Sequence, residues 1–128
     1  MPDLTVFERG WLSSNNVLLH GREGEGATLV DTSHCLHAAQ TQALVRNALR
    51  PGEPLARIVN THLHSDHCGG NATLARAFGA RILIPPGDAD AVARWDEDVL
   101  TYRLTAQRCE RFTADALLHP GESFTVGA

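Results

Sequence analysis

Residues His62-Leu63-His64-Ser65-Asp66-His67 place three imidazoles and one carboxylate within six positions. Imidazole and carboxylate ligands suit Zn²⁺, and they also suit Fe and Mn, so the donor types point to a metal without choosing it. His62 and His64 are two apart, so in an extended segment their rings project to the same side and can hold one ion. Asp66 and His67 are adjacent and need a bend in the chain to converge on a second ion nearby. Gly69 and Gly70 give the backbone freedom for that bend and let the next helix pack closely. A structural zinc site would prefer a closed set of four ligands, usually rich in Cys.

The elements around this loop must bring it to a defined place. Val17-Leu18-Leu19 and Ala27-Thr28-Leu29-Val30 read as short strands separated by the turn-rich stretch 21–26. Asp31-Thr32-Ser33 follows, with hydroxyls that suit a helix N-cap. From His34 to Leu49 the pattern is helical, with His34, His37, Thr41, Leu44, Val45 and Ala48 on one face. Residues 55–60 read as a third strand that runs directly into the histidine loop. Asn71 to Phe78 reads as a helix closed by Gly79, and Arg81-Ile82-Leu83-Ile84 as a fourth strand. Asp88 caps a helix to about Trp95, the stretch 96–114 has no clear pattern, and 117–126 reads as a hairpin or two strands about Pro120-Gly121. This alternation implies an α/β fold with parallel neighbours. Ligands collect at the carboxyl ends of such strands, which sets Asp31 near His62 despite thirty residues between them.

Bulk properties exclude several classes. The 128 residues fit one domain, and the 43% apolar content is ordinary for a globular chain. A formal charge of −4 gives no basic footprint for nucleic acid. No apolar run approaches the ~18 residues of a membrane span, and the start resembles neither a signal peptide nor an anchor. All 11 basic residues are Arg. Three cysteines, Cys35, Cys68 and Cys109, form an odd set without paired spacing, which favours reduced thiols and a cytoplasmic compartment. Cys68 has no cationic neighbour in sequence and reads as a passive thiol. His34 and His37 read as packed, hydrogen-bonded histidines rather than a second metal site.

The run from Thr61 to Asn71, Thr-His-Leu-His-Ser-Asp-His-Cys-Gly-Gly-Asn, resembles the dinuclear metal signature of the metallo-β-lactamase superfamily. Leu29-Val30-Asp31-Thr32-Ser33 is similar to that family's upstream Asp-Thr-Gly motif, with Ser33 in place of the usual Gly. The resemblance covers about residues 12–126. It implies an αββα sandwich, a mixed sheet with flanking helices, and hydrolysis at a site of two zinc ions. By the resemblance, His62 and His64 bind the first metal and Asp66 and His67 the second. A metal-bound hydroxide is the nucleophile, Asp66 orients it and accepts its proton, and Asp31 holds the ligand loop by hydrogen bonds. Trp95 and Tyr102 fall in the region that lies near the substrate entrance in this family, although a solvated acidic helix end anchored by Trp95 explains them equally well.

The family also supplies a third histidine, a bridging aspartate and a last histidine downstream, and none is evident here. The chain is therefore expected to be one incomplete domain over residues 1–128, the amino-terminal part of a longer enzyme. His119 precedes its Pro120-Gly121 turn, the reverse of the family's order, and reads as a turn histidine. The Asp66 to Asn71 run is more similar to glyoxalase II and the lactamase-like hydrolases than to the nuclease branch. The leading expectation is a metal-dependent hydrolase of a small-molecule thioester, lactone or β-lactam, with the isolated chain inactive or weak. The alternatives are an iron-dependent oxidoreductase on the same scaffold, acting on persulfides, and a non-catalytic half-domain that forms a homo-oligomer through an exposed sheet edge or face.

Overall fold

The computed structural model describes residues 4–7, 15–21, 25–61, 63, 65–96 and 109–119, without the side chains of Ser65, Asp66 and Asp88. Among these residues six strands form one sheet in sequence order: β1 (Leu4–Phe7), β2 (Asn16–Leu19), β3 (Ala27–Val30), β4 (Leu55–Val59), β5 (Arg81–Ile84) and β6 (Ala116–Leu117). The β1–β2 and β2–β3 pairs are antiparallel, and every pair from β3 to β6 is parallel. Among the described residues four α-helices accompany it, α1 (Ala38–Ala48), α2 (Ser65–Cys68), α3 (Asn71–Phe78) and α4 (Ala89–Arg94). The result is a mixed α/β sheet with flanking helices.

Register divides the sheet into two faces. Leu18, Leu29, Ile58 and Ile82 are lateral neighbours across four strands and are all but fully buried. They share one core with Val45 of α1 and Leu74 of α3. Each such side chain contributes roughly 1.5–3 kcal/mol by leaving water. The opposite face carries the row Val6, Val17, Val30, Val59, Leu83 and Ala116, one residue from each strand.

Several elements differ from the sequence expectation. β1 was not anticipated, although Leu4-Thr5-Val6-Phe7 is a run of strand formers. The expected helix from His34 begins instead as a 3₁₀ turn at Cys35–His37, and His34 stands outside it as the cap, accepting from the Leu36 N–H at 3.1 Å. A 3₁₀ turn advances three residues per turn rather than 3.6, so the helical face does not extend through it. His37 is accordingly exposed, not inward, whereas Thr41 and Val45 are buried. Thr32 and Ser33 cap no helix; their hydroxyls bond to Asn71 and Asn16. Of the expected 117–126 strand pair, the described part is the short parallel strand β6 beside β5, and residues from 120 onward lie outside the described residues.

One buried polar latch ties the antiparallel end to the rest. Glu53, in the loop between α1 and β4, accepts from His20 Nδ1 at 2.9 Å, the Gly21 N–H at 3.1 Å and the Arg50 N–H at 3.0 Å. His20 Nε2 in turn pairs with the Thr5 hydroxyl of β1 at 3.0 Å. Burial pushes the Glu53 carboxyl upward, but the Arg50 N–H, the His20 bond and charge and the Gly21 N–H together hold it below its ordinary value of 4.5.

A carboxylate with a lowered pKa in the folded state stabilises fully above its unfolded pKa and loses that contribution as pH falls through the lowered folded value. Glu53→Gln is therefore expected to cost roughly 1–3 kcal/mol near neutral pH, with the gap to wild type closing as the pH falls below about 4. Urea denaturation of both chains across that range checks it; a gap independent of pH contradicts the latch.

Candidate metal centre

The parallel pairing of β3 with β4 sets Val30 opposite Val59, so the chain leaves both strands side by side. Asp31 continues the ladder by one bond, its N–H donating to the Val59 carbonyl at 2.9 Å. Its carboxylate then turns to the neighbouring exit. Oδ1 accepts from the Thr61 N–H at 2.8 Å, and Oδ2 accepts from the Thr61 hydroxyl at 2.7 Å and from His67 Nδ1 at 2.9 Å. Three donors from the loop entered at Thr61 thus converge on one nearly buried carboxylate.

The backbone is shaped to permit this. Asp31 and Ser33 both take left-handed conformations, with φ of 61° and 63°. An L-residue there costs on the order of 1–3 kcal/mol unless its surroundings hold it. Asp tolerates the conformation better than most residues. Ser33 stands where the similar family motif has Gly, and its left-handed φ explains why Gly suits that place. Its hydroxyl donates to Asn16 Oδ1 at 3.1 Å.

Behind the loop lies a second network that the sequence reading did not single out. Thr32 donates its hydroxyl to Asn71 Oδ1 at 2.7 Å, and Asn60 and Asn71 exchange amide bonds at 3.2 and 2.6 Å. The Thr32 N–H donates to the His67 carbonyl at 2.7 Å, and the Thr32 hydroxyl and Asn60 Nδ2 approach the same oxygen at 3.3 Å each. His67 is therefore held at both ends, ring and carbonyl. The available signal was Asn60, an amide closing an apolar strand and buried in the structure.

Gly70 makes the close approach feasible. Its N–H donates to Thr32 Oγ1 at 3.1 Å, and a Cβ on Gly70 would lie 2.6 Å from the Thr32 carbonyl oxygen. The short helix α2 carries Asp66 and His67, and α3 starts directly after the two glycines.

Of the expected ligands, His67 is placed with its side chain, and Asp66 by its backbone within α2. His62 and His64 lie outside the described residues, as does Tyr102. Among the described residues no three His, Cys, Asp or Glu side chains converge. Trp95 packs edge-on against Phe112, with ring centroids 5.3 Å apart, and is partly buried against the core. His34 is buried, with its ring centroid 6.2 Å from that of His37. His119 is exposed just beyond β6.

The donor chemistry fits a metal. With Nδ1 donating to a carboxylate, His67 would bind a metal through Nε2, its tautomer and ring plane fixed by Asp31. His62, His64 and Asp66 would complete the donors within the same loop.

Comparison with known proteins is consistent with this geometry. The family model described as the metallo-beta-lactamase superfamily matches residues 9–124. A hydroxyacylglutathione hydrolase of Anaeromyxobacter dehalogenans is 35% identical over 94 residues, covering 73% of this chain and 33% of that protein. Another, from Maricaulis maris, is 29% identical over 89 residues, covering 69% and 32%. The chain thus spans about a third of the length of these curated relatives. The fold also matches the FEZ-1 metallo-β-lactamase of Legionella gormanii, with a TM-score of 0.71 and 16% identity over 88% of this chain and 42% of that one. A metallo-β-lactamase of Cronobacter sakazakii gives 0.70 and 24%, over 88% and 42%.

Asp31→Asn keeps shape and left-handed tolerance but replaces one acceptor oxygen with a donor, and should cost roughly 1–3 kcal/mol. Asp31→Ala removes both acceptors at a φ that Ala resists and should cost more. Denaturation curves rank the two. Long-range ¹H–¹⁵N spectra of the metal-free chain should show His67 protonated on Nδ1, and Asp31→Ala should erase that preference.

Proposed function

The chain belongs to the metallo-β-lactamase superfamily, and from that premise we propose that it carries the metal-binding amino-terminal part of a hydrolase acting on an acyl thioester. The observation that carries this reading is the 2.9 Å bond from His67 Nδ1 to Asp31, made inside a loop that holds His62, His64 and Asp66 as further donors. Two zinc ions are the proposed occupants, with iron or manganese also compatible with the donors. Bound there, a metal supplies a Lewis acid and lowers the pKa of water to about 7. His62 and His64 hold the first ion, and Asp66 and His67 the second. Asp66 would orient the attacking water and take up its proton. Asp31 keeps His67 in position without touching substrate. The relatives named above are hydroxyacylglutathione hydrolases, which favours a thioester of a glutathione-like thiol over a lactone or lactam.

Metal uptake and turnover test this separately. Equilibrium dialysis with elemental analysis should find zinc on the chain, and His67→Ala should weaken uptake by at least the ~10–100-fold typical of losing an outer partner of a ligand. The protein should cleave S-acyl glutathione more efficiently than lactones or lactams, with activity lost to chelator. Iron in place of zinc, together with oxidation of persulfides, would overturn the hydrolase reading. No metal uptake would overturn the site.

A second reading concerns this chain alone. Leu4 and Val6 of β1, the edge strand among the described residues, are 47% and 50% exposed, and Val6 begins the apolar row across the face opposite the helices. An exposed apolar edge strand is a template for pairing, and its proposed partner is a second copy. Sedimentation at micromolar concentration should show reversible self-association that Val6→Lys reduces. A monomer at all concentrations contradicts it.

A further inference from the structure

We infer that Cys68 and Cys109 are the two halves of a reversible disulfide that fastens the metal loop to the body of the protein. The two sulfurs lie 3.7 Å apart, although the residues are 41 positions apart in sequence. Cys68 ends α2, directly after His67, and is fully buried, with its sulfur 3.6 Å from the Leu63 carbonyl. Cys109 is partly exposed, and its sulfur is also 3.7 Å from the Cys68 carbonyl oxygen. A disulfide bond is about 2.05 Å long, so the sulfurs need to close by roughly 1.7 Å, within reach of small side-chain rotations.

The segment that carries Cys109 is firmly placed. Glu110 makes a two-pronged ion pair with Arg76 of α3, at 2.8 and 3.2 Å, and this carboxylate holds the Arg76 guanidinium above its ordinary value. Phe112 is buried against Trp95. The Asp115 N–H donates to the Ile82 carbonyl, and its carboxylate accepts from the Ile82 N–H, both at 2.8 Å. A bond from Cys68 to Cys109 therefore ties α2 to a strap already fixed to α3 and β5.

The chemistry needs a two-electron oxidant, and hydrogen peroxide supplies it. Cys109, the more accessible thiol, attacks the peroxide oxygen; the O–O bond breaks, water leaves, and Cys109 becomes a sulfenic acid. The Cys68 sulfur then attacks the Cys109 sulfur, the S–O bond breaks, a second water leaves, and the disulfide forms. A dithiol reductant returns both thiols. Neither step requires a metal, so the inference stands apart from the hydrolase reading.

Treatment of the whole 128-residue chain with a slight excess of hydrogen peroxide tests it. The expected product is a monomer lighter by about 2 Da, with two of its three thiols lost. Trypsin without reductant should release peptide 58–76 joined to Cys109-Glu110-Arg111. Cys35→Ser should leave this product intact and Cys109→Ser should abolish it. Because the closed loop is long, the oxidised form should melt at least about 5 °C higher, with slower amide exchange across residues 65–70, both reversed by dithiothreitol. Sulfinic acid on Cys109 with Cys68 still titratable, or disulfide-linked dimers through Cys35, would overturn it.

Discussion

One carboxylate sets the geometry of the candidate site. Asp31 gathers the Thr61 N–H, the Thr61 hydroxyl and His67 Nδ1, all within 2.9 Å. A nearly buried carboxylate is costly unless its oxygens are satisfied, so the loop is required to deliver those donors. The requirement works in both directions. The loop fixes the carboxylate, and the carboxylate fixes the loop's entry at Thr61 and its ring at His67. Two left-handed residues, Asp31 and Ser33, bracket this bend, and the energy they cost is offset by the bonds the bend allows.

The network of Thr32, Asn60 and Asn71 supports the same loop from behind. It is fully internal: amide bonds between the two asparagines, a hydroxyl on Asn71, and a backbone N–H on the His67 carbonyl. A buried polar cluster that satisfies its own members specifies one arrangement, because every alternative strands a donor or acceptor in low dielectric. This accounts for Gly70: any side chain would part the α3 start from Thr32 and open the cluster. Specificity of the loop's shape thus rests on three small polar residues around it, Thr32, Asn60 and Asn71, none of which is an expected ligand.

The sequence made the chemistry of the loop legible because ligand spacing is local. His62 to His67 can be read without knowing the fold, and the placement of Asp31 beside the loop follows from two strands ending in parallel. The helix from Asn71 to its left-handed Gly79 was equally local. What escaped was non-local or geometric. The face assigned to His37 assumed a regular helix through a 3₁₀ turn. The Glu53 latch joins residues up to 48 positions apart, with Thr5 at its far end, and no periodicity announces it. The 3.7 Å approach of the Cys68 and Cys109 sulfurs likewise joins residues remote in sequence. Thr32 was legible as a capping residue by type, yet the tertiary network outbid the helix for its hydroxyl.

Apolar burial is what finally enforces the polar geometry. Leu29, Ile58 and Ile82 stand side by side on the helix-covered face, while Val30, Val59 and Leu83 stand on the other. Slipping β4 by one residue against β3 would exchange the two sets and turn Ile58 out of the core. That same slip would move Thr61 away from Asp31, since the present register brings the residue two beyond Val59 within reach of the carboxylate. The energy that holds the candidate metal loop in place is therefore supplied largely by a core that contains no ligand. This explains how a segment spanning a third of its relatives' length can still hold the Asp31–His67 pair together.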